Sequence, residues 1–370
     1  MSLEIKEIKF PNRSRDFLLL PWKIYRDDKN WVPPLLIQEK SLLNPLKHPF
    51  FKHSEVEFFV VYKDKNPVGR ISAILNNNHN KFHNENICFF GFFECINDKD
   101  IARTLFEAVE KFAKRHNCDA IRGPASYSTN EQCGLLVDGF DSPPAVMMNH
   151  NPQYYINLIE GYGFSKAKDL LAWRVTEDKF NMRLIELSEQ LKERHLISIR
   201  KLNMKRFDED VQEIKKIYNN AWSKNWGFVP MTDEEFNHIA KDFKSIVDPD
   251  VVLIAEIDGK NVAFAMALPD INQVLIHLNG RLFPFNFIKM YYYWKKISRA
   301  RILTLGVLEQ YRFRGIDLYL YSALFNNGTK KGYMEGEFSW VLEDNKLMND
   351  ALQKMGARCA KIYRIFEKKI

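Results

Sequence analysis

The hydrophobic positions of this chain fall into short runs and helical stripes that predict the same order of elements twice. In the first half, residues 56–62 and 68–74 alternate loosely around Asp64-Lys65-Asn66 and predict a strand pair. Residues 87–93 then predict a strand, 98–117 an amphipathic helix behind an Asp cap, 120–121 a short strand, 154–161 a helix and 167–175 a closing strand. The second half opens with a strand over 197–202, helices over 208–222 and 233–246, and a hairpin of 251–256 with 262–268 across Asp258-Gly259. A strand (300–307), a helix (318–325), a strand (337–342), a helix within 343–356 and a last strand (360–367) follow. Between the halves, Phe180, Leu184, Leu187 and Leu191 have helical spacing and predict a joining helix. Near the N-terminus, residues 17–25 predict a helix and 30–35 an extended, aromatic-anchored loop, because Pro33 and Pro34 exclude a continuous helix. Local likenesses between 66–73 and 259–266, and between 163–168 and 356–361, recur at an offset of about 193 residues and point to a duplication.

One stretch carries candidate chemistry. The apolar run Ile302, Leu303, Leu305 and Val307 breaks into a basic turn, Tyr311-Arg312-Phe313-Arg314-Gly315-Ile316, and the turn opens directly into the predicted helix. Strand, tight turn and helix in that order suit a phosphate: the turn's N–H groups and the positive helix end hold a pyrophosphate with little rearrangement. Gly315 permits close backbone approach, and Arg312 and Arg314 add cationic donors.

The hexamer Arg312-Phe313-Arg314-Gly315-Ile316-Asp317 resembles the acyl-CoA signature [QR]-x-x-G-x-[GA] of the GCN5-related N-acetyltransferases (GNAT). Asp317 departs from it, standing where that family prefers Gly or Ala, so its carboxylate must point away from the diphosphate. The resemblance covers the element order of the whole chain. It implies an α/β (α+β) fold of tandem duplicated GNAT-like domains, each a mixed sheet flanked by helices: residues 1–176 without the CoA turn, a linking helix 177–195, and a CoA-binding domain 196–370. It further implies that Gly306, Val307 and Leu308 lend backbone groups to the pantetheine amides and that Asn345 touches the pantetheine arm. Asp344 and Asn345 serve equally well as helix N-caps. In the first half the matching turn reads Glu94-Cys95-Ile96-Asn97-Asp98-Lys99-Asp100, without glycine and with carboxylates that repel a diphosphate. Only the second half is therefore expected to bind acyl-CoA.

The implied activity is an acyl-CoA-dependent N-acyltransferase, using acetyl-CoA or a longer acyl-CoA, with direct transfer to an amine in a ternary complex. Acetyl transfer is the first expectation. A long-chain N-acyltransferase similar to the bacterial ceramide synthases and a non-catalytic acyl-CoA-binding protein are the alternatives. Such transfer needs a neutral amine, donors for the tetrahedral oxyanion and a proton for the leaving thiolate. The N–H of Val307 or Leu308 is the expected oxyanion donor; Glu256, Glu309 and Glu343 are the candidate bases, and Tyr363 the candidate acid. Each carboxylate reads equally as a solvated strand-end group, and Tyr363 as a packing residue. The acceptor is expected in a cleft between the halves, walled by Trp222, Trp226 and Phe228 and by a loop carrying Asn130 and Glu131. His79 and His83 have i, i+4 spacing but sit among polar residues that read as a loop without a third ligand, so no metal is expected.

Composition narrows the partners. A formal charge of +7 suits an anionic ligand, and no nucleic-acid motif accompanies it. Residues 281–296 combine Phe283, Phe285, Phe287, Tyr291–Tyr293 and Trp294 with lysines. They read either as an acyl-chain or lipid-facing surface, leaving peripheral membrane contact open, or as a core-packing insertion, the commoner use of clustered aromatics. No window reaches the roughly 18 apolar residues of a membrane span, and the N-terminus lacks a signal-peptide layout, so a cytoplasmic protein is expected. Cys88, Cys95, Cys118, Cys133 and Cys359 have no metal or disulfide spacing and are expected to be buried thiols. The identity of the amine and the oligomeric state leave no trace in the pattern.

Overall fold

The computed structural model describes residues 3–11 and 14–370. The chain divides into two compact units, Met1–Leu170 with Leu275–Met290 and Lys361–Ile370, and Leu171–Val274 with Tyr291–Ala360. The units are thus not sequential halves. The last ten residues, expected to close the second domain, complete the first unit's sheet, while residues 171–176 lie next to the strand Glu335–Leu342 in the second.

In the first unit, Leu3–Ile8, Ser54–Lys63, Asn66–Asn76 and Ile87–Cys95 run antiparallel to their neighbours, and Ala120–Gly123 joins parallel to Ile87–Cys95. Phe366 to Lys369 of the strand Arg358–Lys369 pair antiparallel with Ala120–Gly123. The helix Lys99–Arg115 covers one face with Ile101, Leu105, Phe106, Val109 and Phe112, the stripe its periodicity predicts. Trp22 Nε1 donates to Asn279 Oδ1 at 2.9 Å and Leu36 N–H to Gly280 O at 3.0 Å, which anchors Leu275–Met290 to this unit. Gly280 needs its positive φ of 73° here, and a Cβ on it would lie 2.5 Å from the Trp22 ring.

The second unit repeats the plan. Ser198–Lys201, Val252–Ile257, Lys260–Pro269 and Arg299–Val307 are antiparallel, and Glu335–Leu342 runs parallel to Arg299–Val307. Alternation along the hairpin assigns its two faces. Val252, Ile254 and Phe264 pack with Phe207, Val211, Ile214 and Ile217 of the helix Phe207–Trp222. Leu253, Ala255, Ala263 and Ala265 pack with Ile316, Leu320 and Leu324 of the helix Ile316–Lys330. These strands of both units belong to one large mixed sheet flanked by helices, and the same strand plan occurring once in each unit bears out the expected tandem architecture.

Several local expectations need correction. The joining helix is broken: a 3₁₀ turn, Glu177–Lys179, precedes the helix Arg183–His195. That helix packs within the second unit, its Leu191 against Gly315 and its Lys192 over the Tyr319 ring. Residues read as a polar loop form the helix Asn77–His83, capped by Asn76, whose side chain accepts from His79 N–H at 3.0 Å. His79 is buried there, bonded to Glu85 Oε2 at 3.0 Å. The strand Leu3–Ile8 and the helix Leu36–Leu42 had no clear pattern, since the strand is exposed at five of six positions and the helix buries nothing. Four cysteines are buried as expected, but Cys359 is exposed.

Candidate functional site

The site follows from where a ladder stops. Arg299–Val307 and Glu335–Leu342 are paired from Arg299/Glu335 to Ile302/Phe338, and beyond that point a cavity of about 870 Å³ opens within the second unit. Residues 302–307 and 338–342 line it along the two strands, with Trp222, Trp226, Tyr311, Arg312, Phe313, Asp317 and Asn345 around them. Every one of these residues belongs to the second unit.

Strand alternation fixes which backbone groups face this opening. Leu308 N–H donates to Val262 O at 2.9 Å, so residues 304, 306 and 308 direct their polar backbone atoms at the hairpin and 303, 305 and 307 direct theirs away from it. Trp222 Nε1 takes up the Leu305 carbonyl at 3.2 Å. Of the two expected oxyanion donors, Leu308 N–H is therefore committed to Val262, and Val307 N–H is the one on the open side. Gly306 meets the neighbouring helix: a Cβ on it would stand 3.0 Å from Phe264 and 3.2 Å from Ala221.

The turn closes one end. A 3₁₀ segment, Glu309–Tyr311, leads to Phe313 at φ 62° and Gly315 at φ 73° before the helix Ile316–Lys330 begins. Left-handed residues alternating with right-handed or extended ones turn successive N–H groups toward one concavity. No side chain caps this helix, and its first backbone return is Tyr319 N–H to Gly315 O at 3.0 Å. Arg312 ties the turn to Ala221 O at 3.0 Å, Arg314 lies over the Tyr311 ring at 5.1 Å, and the Phe313 side chain is 94% exposed. Asn345 fulfils its reading as a helix cap, accepting from Met348 N–H at 3.2 Å at the start of Lys346–Lys354, and it also lines the cavity.

The other predicted residues scatter. Glu256 is held by Arg200 Nε at 2.7 Å on the hairpin's outer strand, away from the cavity lining. Glu309 pairs with Lys224 at 2.8 Å, and that cation holds its carboxyl below the usual range. Glu343 precedes the two cavity residues Asp344 and Asn345 without lining the cavity itself. Tyr363 is fully buried in the first unit, against Gly134. Asn130 and Glu131 are also first-unit residues; Glu131 accepts from Tyr127 N–H at 2.5 Å and pairs with His48 at 3.2 Å. Trp222 and Trp226 line the cavity, whereas Phe228 is buried 5.7 Å from the Tyr218 ring.

Sequence reasoning missed Thr304, Ser339, Trp340 and Asp344, all on the cavity wall. Ser339 is fixed from behind: its hydroxyl donates to Glu337 Oε1 at 2.9 Å and accepts from Arg301 Nε at 2.9 Å. Glu337, fully buried, accepts from Arg174 Nε at 2.7 Å. A Glu-x-Ser pair leading into the apolar run Trp340-Val341-Leu342 was the available signal, since buried charges require partners.

No family model matches the chain. It is 36% identical over 367 residues to Protein YghO of Escherichia coli (strain K12), covering 97% of this chain and 93% of that protein. It is 34% identical over 376 residues to the bacterial ceramide synthase of Caulobacter vibrioides (strain NA1000 / CB15N), covering 99% and 97%. The chain belongs to the family of these two proteins. Among solved structures it is similar to a tandem GNAT protein from the clavulanic acid biosynthesis pathway, with a TM-score of 0.60, 11% identity and coverage of 100% and 98%. It is also similar to a GCN5-related N-acetyltransferase from Sphaerobacter thermophilus, with a TM-score of 0.55, 13% identity and coverage of 99% and 95%. The fold of this chain is thus the tandem GNAT fold expected from the turn and the element order.

Proposed function

We propose that the chain is an acyl-CoA-dependent N-acyltransferase whose thioester substrate lies in the second unit's cavity. The observation that carries this reading is the ladder that opens after Ile302/Phe338 and runs into the uncapped turn at Gly315. An opened strand edge offers the alternating amides that a pantetheine arm needs, and the turn offers N–H groups and cations to a diphosphate. Val307, Arg312, Phe313, Ile316, Asp317 and Asn345 line that cavity and are assigned to it, with Arg314 and Gly315 in the turn that closes it; Gly306 also lines it but, like Leu308, turns its backbone groups to the hairpin. In the reaction the amine nitrogen attacks the thioester carbonyl, a C–N bond forms, the C–S bond breaks, and Val307 N–H donates to the oxyanion. The amine loses one proton and the departing thiolate gains one. Asp317 and Asp344 are the carboxylates on the cavity wall; Asp317 sits in the helix's first turn at the phosphate end, so Asp344 takes the place of base, directly or through a water.

The end-to-end similarity to the ceramide synthase favours a long-chain amine over a small one as acceptor, and the indoles of Trp222, Trp226 and Trp340 give such an acceptor an apolar wall. The test is a thiol-release assay with acyl-CoAs of increasing length against short-chain and long-chain amines. Turnover only with long-chain amines supports the full reading, and turnover only of acetyl-CoA with short amines returns the function to acetyl transfer. CoA binding with no thiol release from any pair leaves a binding protein. Asp344→Asn should lower kcat with little change in CoA affinity.

A further inference from the structure

Residues 281–296, within the segment between the second hairpin and the strand Arg299–Val307, are not core. Phe283 is 77% exposed, Phe285 73% and Tyr291 66%, and the helix Asn286–Trp294 buries none of its residues. The core-packing reading of this aromatic cluster therefore fails, and what remains is a formed apolar surface facing solvent. It is formed because Asn286 Nδ2 donates to Leu278 O at 3.0 Å and Arg281 O at 2.8 Å, closing the loop ahead of the helix. Exposed apolar surface of this extent calls for an occupant.

Charge and side-chain chemistry select one. From residue 271 to 308 the chain has no Asp or Glu. Arg281, Lys289, Lys295 and Lys296 are exposed within that span, and among the described residues none of the four forms an ion pair. Lys295 and Lys296 lie over the Tyr291 and Tyr292 rings at 4.4 and 4.1 Å, so the cations border the aromatic face directly. Trp and Tyr with lysine at their edge are the groups that settle at the headgroup level of a bilayer, rings at the acyl boundary and ammonium groups on the phosphates. A protein partner would also accept the aromatics, but it would not call for a stretch of this length without one carboxylate.

We propose that residues 281–296 dock this protein on an anionic lipid bilayer as a peripheral interfacial helix. The inference does not depend on which acyl group or amine the cavity takes.

The test is cosedimentation of the full chain with sucrose-loaded vesicles of phosphatidylcholine alone or with about 30% phosphatidylglycerol, at low and high salt. Binding to the anionic vesicles, weakened by salt and at least about tenfold stronger than to the neutral ones, is expected. Two triple variants separate the parts: Lys289→Glu, Lys295→Glu, Lys296→Glu, and Phe283→Ser, Phe285→Ser, Tyr291→Ser. Each should lower partitioning by about tenfold or more while melting within about 3 °C of wild type, since the altered side chains are exposed. Absence of binding to both vesicle types would overturn the proposal, as would undiminished binding by both variants. A wild-type dimer lost in the aromatic variant, with no vesicle binding by either, would overturn it in favour of a second copy of the chain.

Discussion

The first unit's ladder between Ile87–Cys95 and Ala120–Gly123 has its last register pair at Phe89 and Arg122, yet the strands stay in touch: a Cβ on Gly91 would overlap Ala125 O, and Phe92 N–H donates to Ser126 Oγ at 3.2 Å. The place where the second unit opens its cavity is here filled by Tyr127, which is fully buried, stacks on Phe50 at 4.9 Å and meets Phe51 and Phe92 at 5.3 Å. The following helices differ in the same sense. Lys99–Arg115 begins behind Asp98, whose Oδ1 accepts from Asp100 N–H at 3.0 Å and Ile101 N–H at 3.4 Å, while Ile316–Lys330 begins behind an uncapped glycine. One duplicated plan thus supplies a closed copy, with the helix end satisfied by its own carboxylate, and an open copy, whose helix end no side chain caps.

Tyr127→Ala is the strongest way to attack this contrast. Removing a fully buried ring and leaving Leu42 O without its 2.9 Å donor should cost about 3–5 kcal/mol in denaturant unfolding, with acyl-CoA affinity of the folded fraction unchanged. Loss of affinity in step with stability would mean that the closed copy holds the ligand too. Gly315→Val tests the open copy. Its φ of 73° is unfavourable for a β-branched residue, and the new Cβ would stand 2.5 Å from Leu191. CoA affinity by titration calorimetry should fall by about 100-fold or more, close to 3 kcal/mol, and Leu191→Ala should relieve the contact without restoring the turn.

Charge changes sharpen the same comparison at smaller scale. Arg314→Glu should weaken CoA about tenfold, with a flatter salt dependence, while Asp98→Ala should lower stability by about 1 kcal/mol through the lost cap and leave CoA affinity alone. CoA-induced protection over residues 94–100 in hydrogen exchange would contradict both assignments. A pH-dependent contrast concerns the link after the first hairpin, a capped helix with buried His79. Burial lowers the His79 pKa to about 4 despite the opposing Glu85 hydrogen bond. Folding therefore favours the neutral ring: its contribution is complete above the unfolded value near 6.5 and is lost as pH falls toward 4, by about 1–3 kcal/mol. Melting scans from pH 7 to 4 should show that slope, and His79→Gln should flatten it.

Sequence by itself determined the elements and the turn. Period-two and period-3.6 patterns depend on neighbours a few residues away, so Ser54–Lys63, Asn66–Asn76, Lys99–Arg115 and Ile316–Lys330 were all foreseen, with ends off by a few residues. The turn at Arg312 to Gly315 was legible because its constraint is local: only glycine adopts that φ without strain, and arginine next to it has few other uses. Tertiary structure alone decided which parallel ladder opens, since Gly91 and Gly306 look alike in the sequence and differ only in what faces them across the sheet. It also decided that Lys361–Ile370 completes the first unit, which takes Tyr363 away from the chemistry assigned to it, and that Trp340 and Asp344 reach the cavity wall. The aromatics of 283–294 read from composition either as a lipid- or acyl-chain-facing surface or as core, the latter because clustered rings usually bury one another. Their exposure depends on whether another element arrives to cover them, and none does among the described residues.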